Sequence, residues 1–238
     1  MGAPALHAYA RVGSTMDVAH ALAADGAADG TVVLADAQTG GRGRAGRTWA
    51  SDGGTGVWLT VVTRPRDLAA LEVLSLRVGV ALADGLQPFA DAPVGIKWPN
   101  DLLVRGRKLA GVLVEARWRD ARPEWAAVGV GLNVRAPAGF ADAATLAPGT
   151  ARVDALGAVV SAVRAASAAR GSLTPAELEV LARRDAVRGR RVVAPVVGRA
   201  DGVTAGGALR IVGPDGRTHE LRQATVSYDP ADPPTLPG

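Results

Sequence analysis

Apolar residues recur along this chain with two alternating periods, and the switches between them mark its elements. Ser14-Thr15-Met16-Asp17 has the S-x-x-D form of a capping box, and Val18, Leu22 and neighbouring alanines continue it as a predicted helix closing near Asp25-Gly26. The run TVVLADAQ predicts a strand over Thr31 to Gln38, and Val57 to Val62 predicts another, stopped by Arg64-Pro65. Leu71, Leu74, Val78 and Leu82 return to helical spacing and predict a helix over about 68–86. Strands are then predicted over Val94 to Trp98, Leu102 to Val104, Leu109 to Arg117 and Trp125 to Val134. Two further helices follow, over the alanine-rich 151–170 and from Pro175, where Thr174-Pro175-Ala176-Glu177 sets a proline in the first turn.

From about Gly189 the pattern changes to short β runs, RRVVAPVV, GALRIVG and RTHELRQATVSY, broken by Gly206-Gly207 and the Pro214-Asp215-Gly216 turn. The irregular order of strands and helices predicts an α+β fold: a mixed, mainly antiparallel sheet with flanking helices, followed by a small β-barrel. The expected organisation is a main domain over 1–187, a small module over 188–229 and a disordered proline-rich tail over 230–238.

Composition removes several classes of function. The hydrophobic fraction is 48%, but no run approaches the roughly 20 apolar residues that cross a bilayer. The N-terminus MGAPALHAYARVGS lacks the charged and apolar regions of an export signal, so a cytoplasmic protein without a membrane partner is expected. With no cysteine there is neither a disulfide nor a thiol nucleophile, and three scattered histidines make a transition-metal site an unsuitable reading. The net charge of +4 invites a nucleic-acid reading, yet the arginines cluster at 42–47, 105–107 and 188–191, and no DNA- or RNA-binding signature accompanies them. A small phosphorylated ligand accounts better for what surrounds the first cluster.

That cluster is Gly40-Gly41-Arg42-Gly43-Arg44-Ala45-Gly46-Arg47-Thr48-Trp49, three arginines between four glycines, closed by an indole. Glycine lets backbone N–H groups approach a phosphate and permits positive φ, guanidinium forks pair with phosphate oxygens, and an indole can stack on a purine. No acidic residue interrupts Ala37 to Ser51, so the loop is expected to be mobile until phosphate offsets its charge. A second cluster is Lys97-Trp98-Pro99-Asn100-Asp101, in which proline bends the chain and aims Lys97, Asn100 and Asp101 at one rim, and Lys108 opens the next strand.

Together with Gly13-Ser14-Thr15, Gln38-Thr39, Arg107-Lys108-Leu109-Ala110-Gly111-Val112-Leu113-Val114-Glu115 and Gly129-Val130-Gly131-Leu132-Asn133, these motifs resemble, in order, those of the biotin protein ligase family. The resemblance covers nearly the whole chain, more loosely at its C-terminal end. It implies a class II aminoacyl-tRNA synthetase-like catalytic domain with an SH3-like C-terminal domain. It also implies a two-step reaction: biotin and MgATP give biotinyl-5′-AMP, and a lysine of the biotin carboxyl carrier protein then takes the biotinyl group. By the same resemblance Lys108, Arg44 and Lys97 are the catalytic cations. Biotin falls to Ser14, Thr15, Gln38, Gly41, Arg42, Gly43, Arg44, Lys108 and Gly111. Arg42, Arg44, Arg47, Trp49, Lys97, Asn100 and Asn133 fall to the nucleotide, and Asp101 to Mg²⁺. Trp49 reads as a lid and Trp58, Trp118 and Trp125 as packing or surface residues. The family's usual asparagine after Ser-Thr is replaced by Met16, which removes one polar contact, and with thirteen residues before Ser14 no DNA-binding domain is expected. The enzyme is expected to act as a monomer or homodimer. Two alternatives are a lipoate or octanoate ligase on the same fold, which the GRGRAGRTW loop disfavours, and a basic nucleic-acid-binding regulator.

Overall fold

In the computed structural model, residues 3–65, 67–136, 139, 143–222 and 224–232 are described. The elements are β1 (Leu6–Val12), α1 (Thr15–Ala24), β2 (Val32–Gln38), β3 (Gly56–Thr63), α2 (Leu68–Leu86), β4 (Val94–Lys97), β5 (Asp101–Val104), β6 (Arg107–Arg119), β7 (Arg122–Asn133), α3 (Arg152–Ala168) and α4 (Pro175–Arg184). Five short strands follow: β8 (Arg191–Ala194), β9 (Gly198–Val203), β10 (Leu209–Val212), β11 (Thr218–Leu221) and β12 (Ser227–Tyr228).

Seven strands form the main sheet in the order β1-β2-β3-β7-β6-β5-β4, antiparallel except for the β1/β2 pair. This is the expected mixed α+β architecture. Strand β3 is buried along its whole length because it is covered on both faces. Val57, Leu59 and Val61 join the large core with α2 and α3, while Val62 joins Met16, Ala19 and Ala23 of α1 in a second cluster. Alternate residues of one strand thus fill two separate cores, as the period of two requires.

Helix ends follow their capping residues. Asp67 caps α2 by accepting from the Ala70 N–H at 2.7 Å, and Thr174 and Glu177 form a reciprocal capping box on α4. The box read at α1 is half right. Ser14 is the N-cap, accepting from the Met16 N–H at 3.3 Å, but the Asp17 carboxylate turns away to Arg42. The β6/β7 hairpin is longer than its apolar pattern, reaching the Arg119/Arg122 pair, because its exposed outer end carries polar side chains and no core-facing stripe.

The last five strands make an antiparallel sheet in the order β11-β10-β9-β8-β12. Ala200, Leu209 and Ile211 join the large core, and the Trp98 indole N–H donates to the Gly207 carbonyl at 3.0 Å, so this sheet seats directly against the bend between β4 and β5. Of the stretch expected to lack order from 230, Asp232 accepts from the Arg190 Nε–H and the Arg191 N–H, both at 2.6 Å, and residues 233–238 lie outside those described. No helix among the described residues is long and apolar enough to cross a membrane.

Candidate active site

A hollow of about 270 Å³ opens between the Gly/Arg loop, the start of α1, the β4/β5 bend and the floor formed by β3, β6 and β7. Ser14, Thr15, Gln38, Arg42, Gly43, Arg44, Arg47, Trp49, Lys97, Asn100, Asp101, Lys108 and Gly111 line it, so residues up to 97 positions apart in sequence share one cavity. Two expected residues do not. Gly41 lies behind the wall, closing the loop by accepting from the Trp49 N–H at 2.9 Å. Asn133, at the end of β7 on the same face as Gly129 and Gly131, is 5% exposed and donates to the main-chain carbonyl of Lys108 at 3.3 Å.

One end of the hollow is a polar network. The Gln38 amide oxygen accepts from the Thr15 N–H at 2.8 Å and the Thr15 hydroxyl at 3.1 Å, while its nitrogen donates to Ser51 at 2.8 Å. Thr15 and Thr60 hydroxyls lie 2.9 Å apart. Ser51 and Thr60 carried no local signal in the sequence, Ser51 standing beside Asp52 in a glycine-rich connection and Thr60 being a single polar residue in an apolar run. Next to this network the wall is apolar, with Met16 against Gly129, where an added Cβ would fall 2.8 Å from the Met16 methyl.

The Gly/Arg loop is a small hairpin. The Gly43 N–H donates to Arg47 O at 2.7 Å, Arg42 bridges Thr48, and the tip turns through Ala45 (φ 55°) and Gly46 (φ 71°). Positive φ is therefore needed at the tip alone, and Gly43 is extended. Gly41 is required for a different reason: a Cβ there would sit 2.4 Å from the Trp49 carbonyl oxygen. The indole of Trp49 lies over the floor, with hypothetical Cβ atoms of Gly131 and Gly111 falling 2.4 and 3.0 Å from its ring. The two glycines leave the space the ring occupies.

The cations do not all face the same way. Lys108 pairs with Asp101 at 2.7 Å and its ammonium lies 4.8 Å from the Trp49 ring centroid. Arg44 reaches Asn100 Oδ1 at 3.4 Å, and burial draws its pKa below the ordinary value, with Asp101 opposing the shift and Arg47 adding to it. Lys97 is lowered too, by burial first, against the pull of Asp101 and with Lys108, Arg190 and Arg47 reinforcing it. Arg42, by contrast, points outward. Its guanidinium lies 2.6 Å from Asp17 and 3.5 Å from Glu115, and these carboxylates outweigh burial and raise its pKa. Asn100 is fixed to β6 by its side-chain donation to Val112 O at 2.8 Å.

Two features had no counterpart in the sequence reading. Ala224, Thr225 and Val226, from the C-terminal sheet, form part of the wall. The chain also has only two lysines among its 27 basic residues, and both, Lys97 and Lys108, line this hollow. Elsewhere it uses arginine. Trp58 is buried, Trp125 nearly so, and Trp118 is exposed at the β6/β7 hairpin, as their reading as packing or surface residues anticipated.

Residues 8–133, which contain the Gly/Arg loop, the Lys97 to Asp101 bend and Lys108, match the family described as the Biotin/lipoate A/B protein ligase family. The chain is 44% identical over 135 residues to the biotin–[acetyl-CoA-carboxylase] ligase of Mycobacterium tuberculosis, covering 54% of this chain and 49% of that protein. It is 40% identical over 124 residues to a bifunctional ligase/repressor of Bacillus spizizenii, covering 52% and 38%. The aligned span is thus less than half the length of either relative. The biotin protein ligase from Aquifex aeolicus, solved in complex with biotin and ATP, superposes with a TM-score of 0.76 over 94% of this chain and 98% of that one, at 24% identity. That likeness establishes the fold.

Proposed function

The chain belongs to the biotin/lipoate A/B protein ligase family, and from that membership and the cation-lined hollow we propose that it activates biotin with ATP and transfers it to a lysine of a biotin carboxyl carrier protein. A biotin carboxylate oxygen attacks the α-phosphorus, the bond to the bridging oxygen breaks, and pyrophosphate leaves. The carrier lysine then attacks the acyl carbon of biotinyl-5′-AMP, AMP leaves, and the amine loses its proton. Relatives named as biotin–[acetyl-CoA-carboxylase] ligases support the reading.

The observation that carries it is the convergence of Arg44, Lys97 and Lys108 on one hollow that is polar at one end and apolar beside it. Adenylation brings two anions together, so the site must cancel charge at the carboxylate, the α-phosphate and the departing pyrophosphate. Lys108 is assigned the carboxylate and α-phosphate, with Arg44 and Lys97 on the phosphates and Arg47 at the solvent side. Thr15, Gln38 and Ser14 take the ureido end, and Trp49 and Asn100 border the adenine. Asn133 acts by holding the Lys108 main chain, and Gly41 by closing the loop. Arg42 serves as the loop's tether and not as a phosphate ligand.

Among the described residues no group of three metal-binding side chains occurs, and Asp101 is the one carboxylate on the wall. That suits Mg²⁺ arriving with the triphosphate and held mostly by its oxygens, with Asp101 as the protein's ligand. Such an ion would neutralise charge on the phosphates. The same proposal assigns catalysis to 1–187 and a supporting role to 188–229, and places the reaction in the cytoplasm. Incubating the protein with ATP, Mg²⁺ and either biotin or lipoate, and weighing the adenylate by mass spectrometry, tests it. Biotinyl-AMP is expected; lipoyl-AMP in preference, or a normal rate from Lys108→Ala, overturns it.

A further inference from the structure

Both lysines of this chain lie against an aromatic face, and the partner of the second comes from the far end of the sequence. Lys108 has Trp49. Lys97, at the end of β4, has Tyr228 of β12, with its ammonium 5.7 Å from the ring centroid. Strand β12 belongs to the C-terminal sheet and pairs with β8, and the residues leading into it, Ala224, Thr225 and Val226, line the hollow.

Among the described residues Lys97 makes no ion pair, whereas Lys108 is held by Asp101. A lysine left without a carboxylate keeps its full charge for an incoming anion but has four rotatable bonds and nothing to aim it. An aromatic face supplies the aim without neutralising the charge, because the ring quadrupole attracts an ammonium and competes weakly with phosphate. Tyr228 itself is fixed. The guanidinium of Arg190, 8% exposed and tied to Asp232 O at 2.6 Å, lies 4.6 Å from the same ring centroid. The Tyr228 hydroxyl is buried without a hydrogen-bond partner, so the ring and not the hydroxyl accounts for the residue's contacts. Burial also keeps this phenol well above its usual pKa, and thus neutral.

We propose that Tyr228 is a positioning residue that seats Lys97 at the phosphate end of the hollow, so that the C-terminal sheet completes the site through one ring. The inference rests on the ligase reading for its kinetic arm only. Tyr228→Phe retains the face and should behave as the parent protein. Tyr228→Leu retains apolar bulk without the quadrupole and should lower kcat/KM for ATP in adenylate formation by roughly 5- to 30-fold, the range of a partly desolvated cation–π contact. In a Lys97→Met background Tyr228→Leu should cost nothing more, an outcome that a general packing role would not produce.

The structural arm needs no activity. With two lysines in the chain, carbon-13 lysine labelling gives two side-chain signals, and the Lys97 ε-methylene should show a ring-current shift and a cross-peak to the Tyr228 ring. The shift should persist in Tyr228→Phe and vanish in Tyr228→Leu. A parent protein lacking the cross-peak, a folded Tyr228→Leu with normal kinetics, or additive losses in the double variant overturns the proposal. Should the parent make no adenylate while the cross-peak is present, the ligase reading falls and the contact stands.

Discussion

Arg42 Nη1 lies 2.6 Å from Asp17 Oδ1, which ties the first arginine of the Gly/Arg loop to the first turn of α1. The loop's cationic run is thus divided in its use, with Arg42 spent on Asp17 and Glu115 outside and Arg44 directed inward to Asn100. Asp17→Asn removes the closer partner. Since both side chains are substantially exposed, global stability should change by less than about 1 kcal/mol. The loop should loosen all the same: trypsin should cut after Arg44 or Arg47 several-fold faster in the variant, with peptides mapped by mass spectrometry. Unchanged cleavage at those sites would show that the ion pair does not hold the loop.

Gly131→Ala tests the seat of Trp49. Its new Cβ would fall 2.4 Å from Cε2 and 2.6 Å from Nε1 of the indole, an overlap that a rigid ring on a closed hairpin cannot relieve by rotating an end group. The loop must lift, and because displacements of about 1 Å at a reacting centre can cost on the order of 100-fold, adenylate formation should fall by that order. Gly129→Ala is the contrast. There the nearest atom, at 2.8 Å, is the flexible methyl end of Met16, so a loss of a few-fold at most is expected. Equal rates for the two variants would remove the role given to the Trp49 seat.

What was legible in the sequence was whatever a contiguous run carries. The Gly/Arg loop, the Lys97 to Asp101 bend and Lys108 were readable because glycine, proline and clustered charge act on their own neighbourhood. Arg42's engagement was not, since its partners stand 25 and 73 residues away on elements whose relative placement only the folded sheet decides. Asn133 was assigned to the nucleotide from its place in the family motif; the strand's period of two sets it on the face of Gly129 and Gly131, where it is buried and its amide donates to Lys108 O, a partner 25 residues away that no local pattern announces. Tyr228 and the 224–226 wall left no local trace, because short strands of the C-terminal sheet reach the hollow by packing against β4 from across the fold.

The lowered pKa of Lys97 has a kinetic consequence. Burial is its main cause, Asp101 opposes it, and Lys108, Arg190 and Arg47 add to it. Phosphate binding needs the protonated form, so kcat/KM for ATP should decline with rising pH from a point below the ordinary lysine value of 10.5. Lys97→Arg keeps a charge that does not titrate in this range and should push that alkaline limb upward while lowering the plateau, because a planar fork fits a ring-seated point-charge position poorly. A pH–rate profile of parent and variant decides it, and coincident alkaline limbs would mean that Lys97 is not the titrating group.

Asp185 joins α4 to β8 and is 4% exposed. Its Oδ1 accepts from the N–H groups of Val187 and Arg188 at 2.8 and 3.1 Å, while its Oδ2 is buried without a hydrogen-bond partner. Burial raises its pKa against those two hydrogen bonds and the charge of Arg188. The folded chain therefore holds this proton to higher pH than the unfolded chain does. Asp185 favours folding most below the unfolded value of 3.8, and that contribution is lost as pH rises through the raised folded value. At neutral pH the ionised carboxylate is a net cost. Asp185→Asn keeps the Oδ1 acceptor for the same turn and removes the charge, so its Tm should exceed the parent's at pH 7 to 8, with the gap closing as pH falls toward 4. A lower Tm at neutral pH would mean that the carboxylate is offset by a partner in solution and is not the liability that its burial implies.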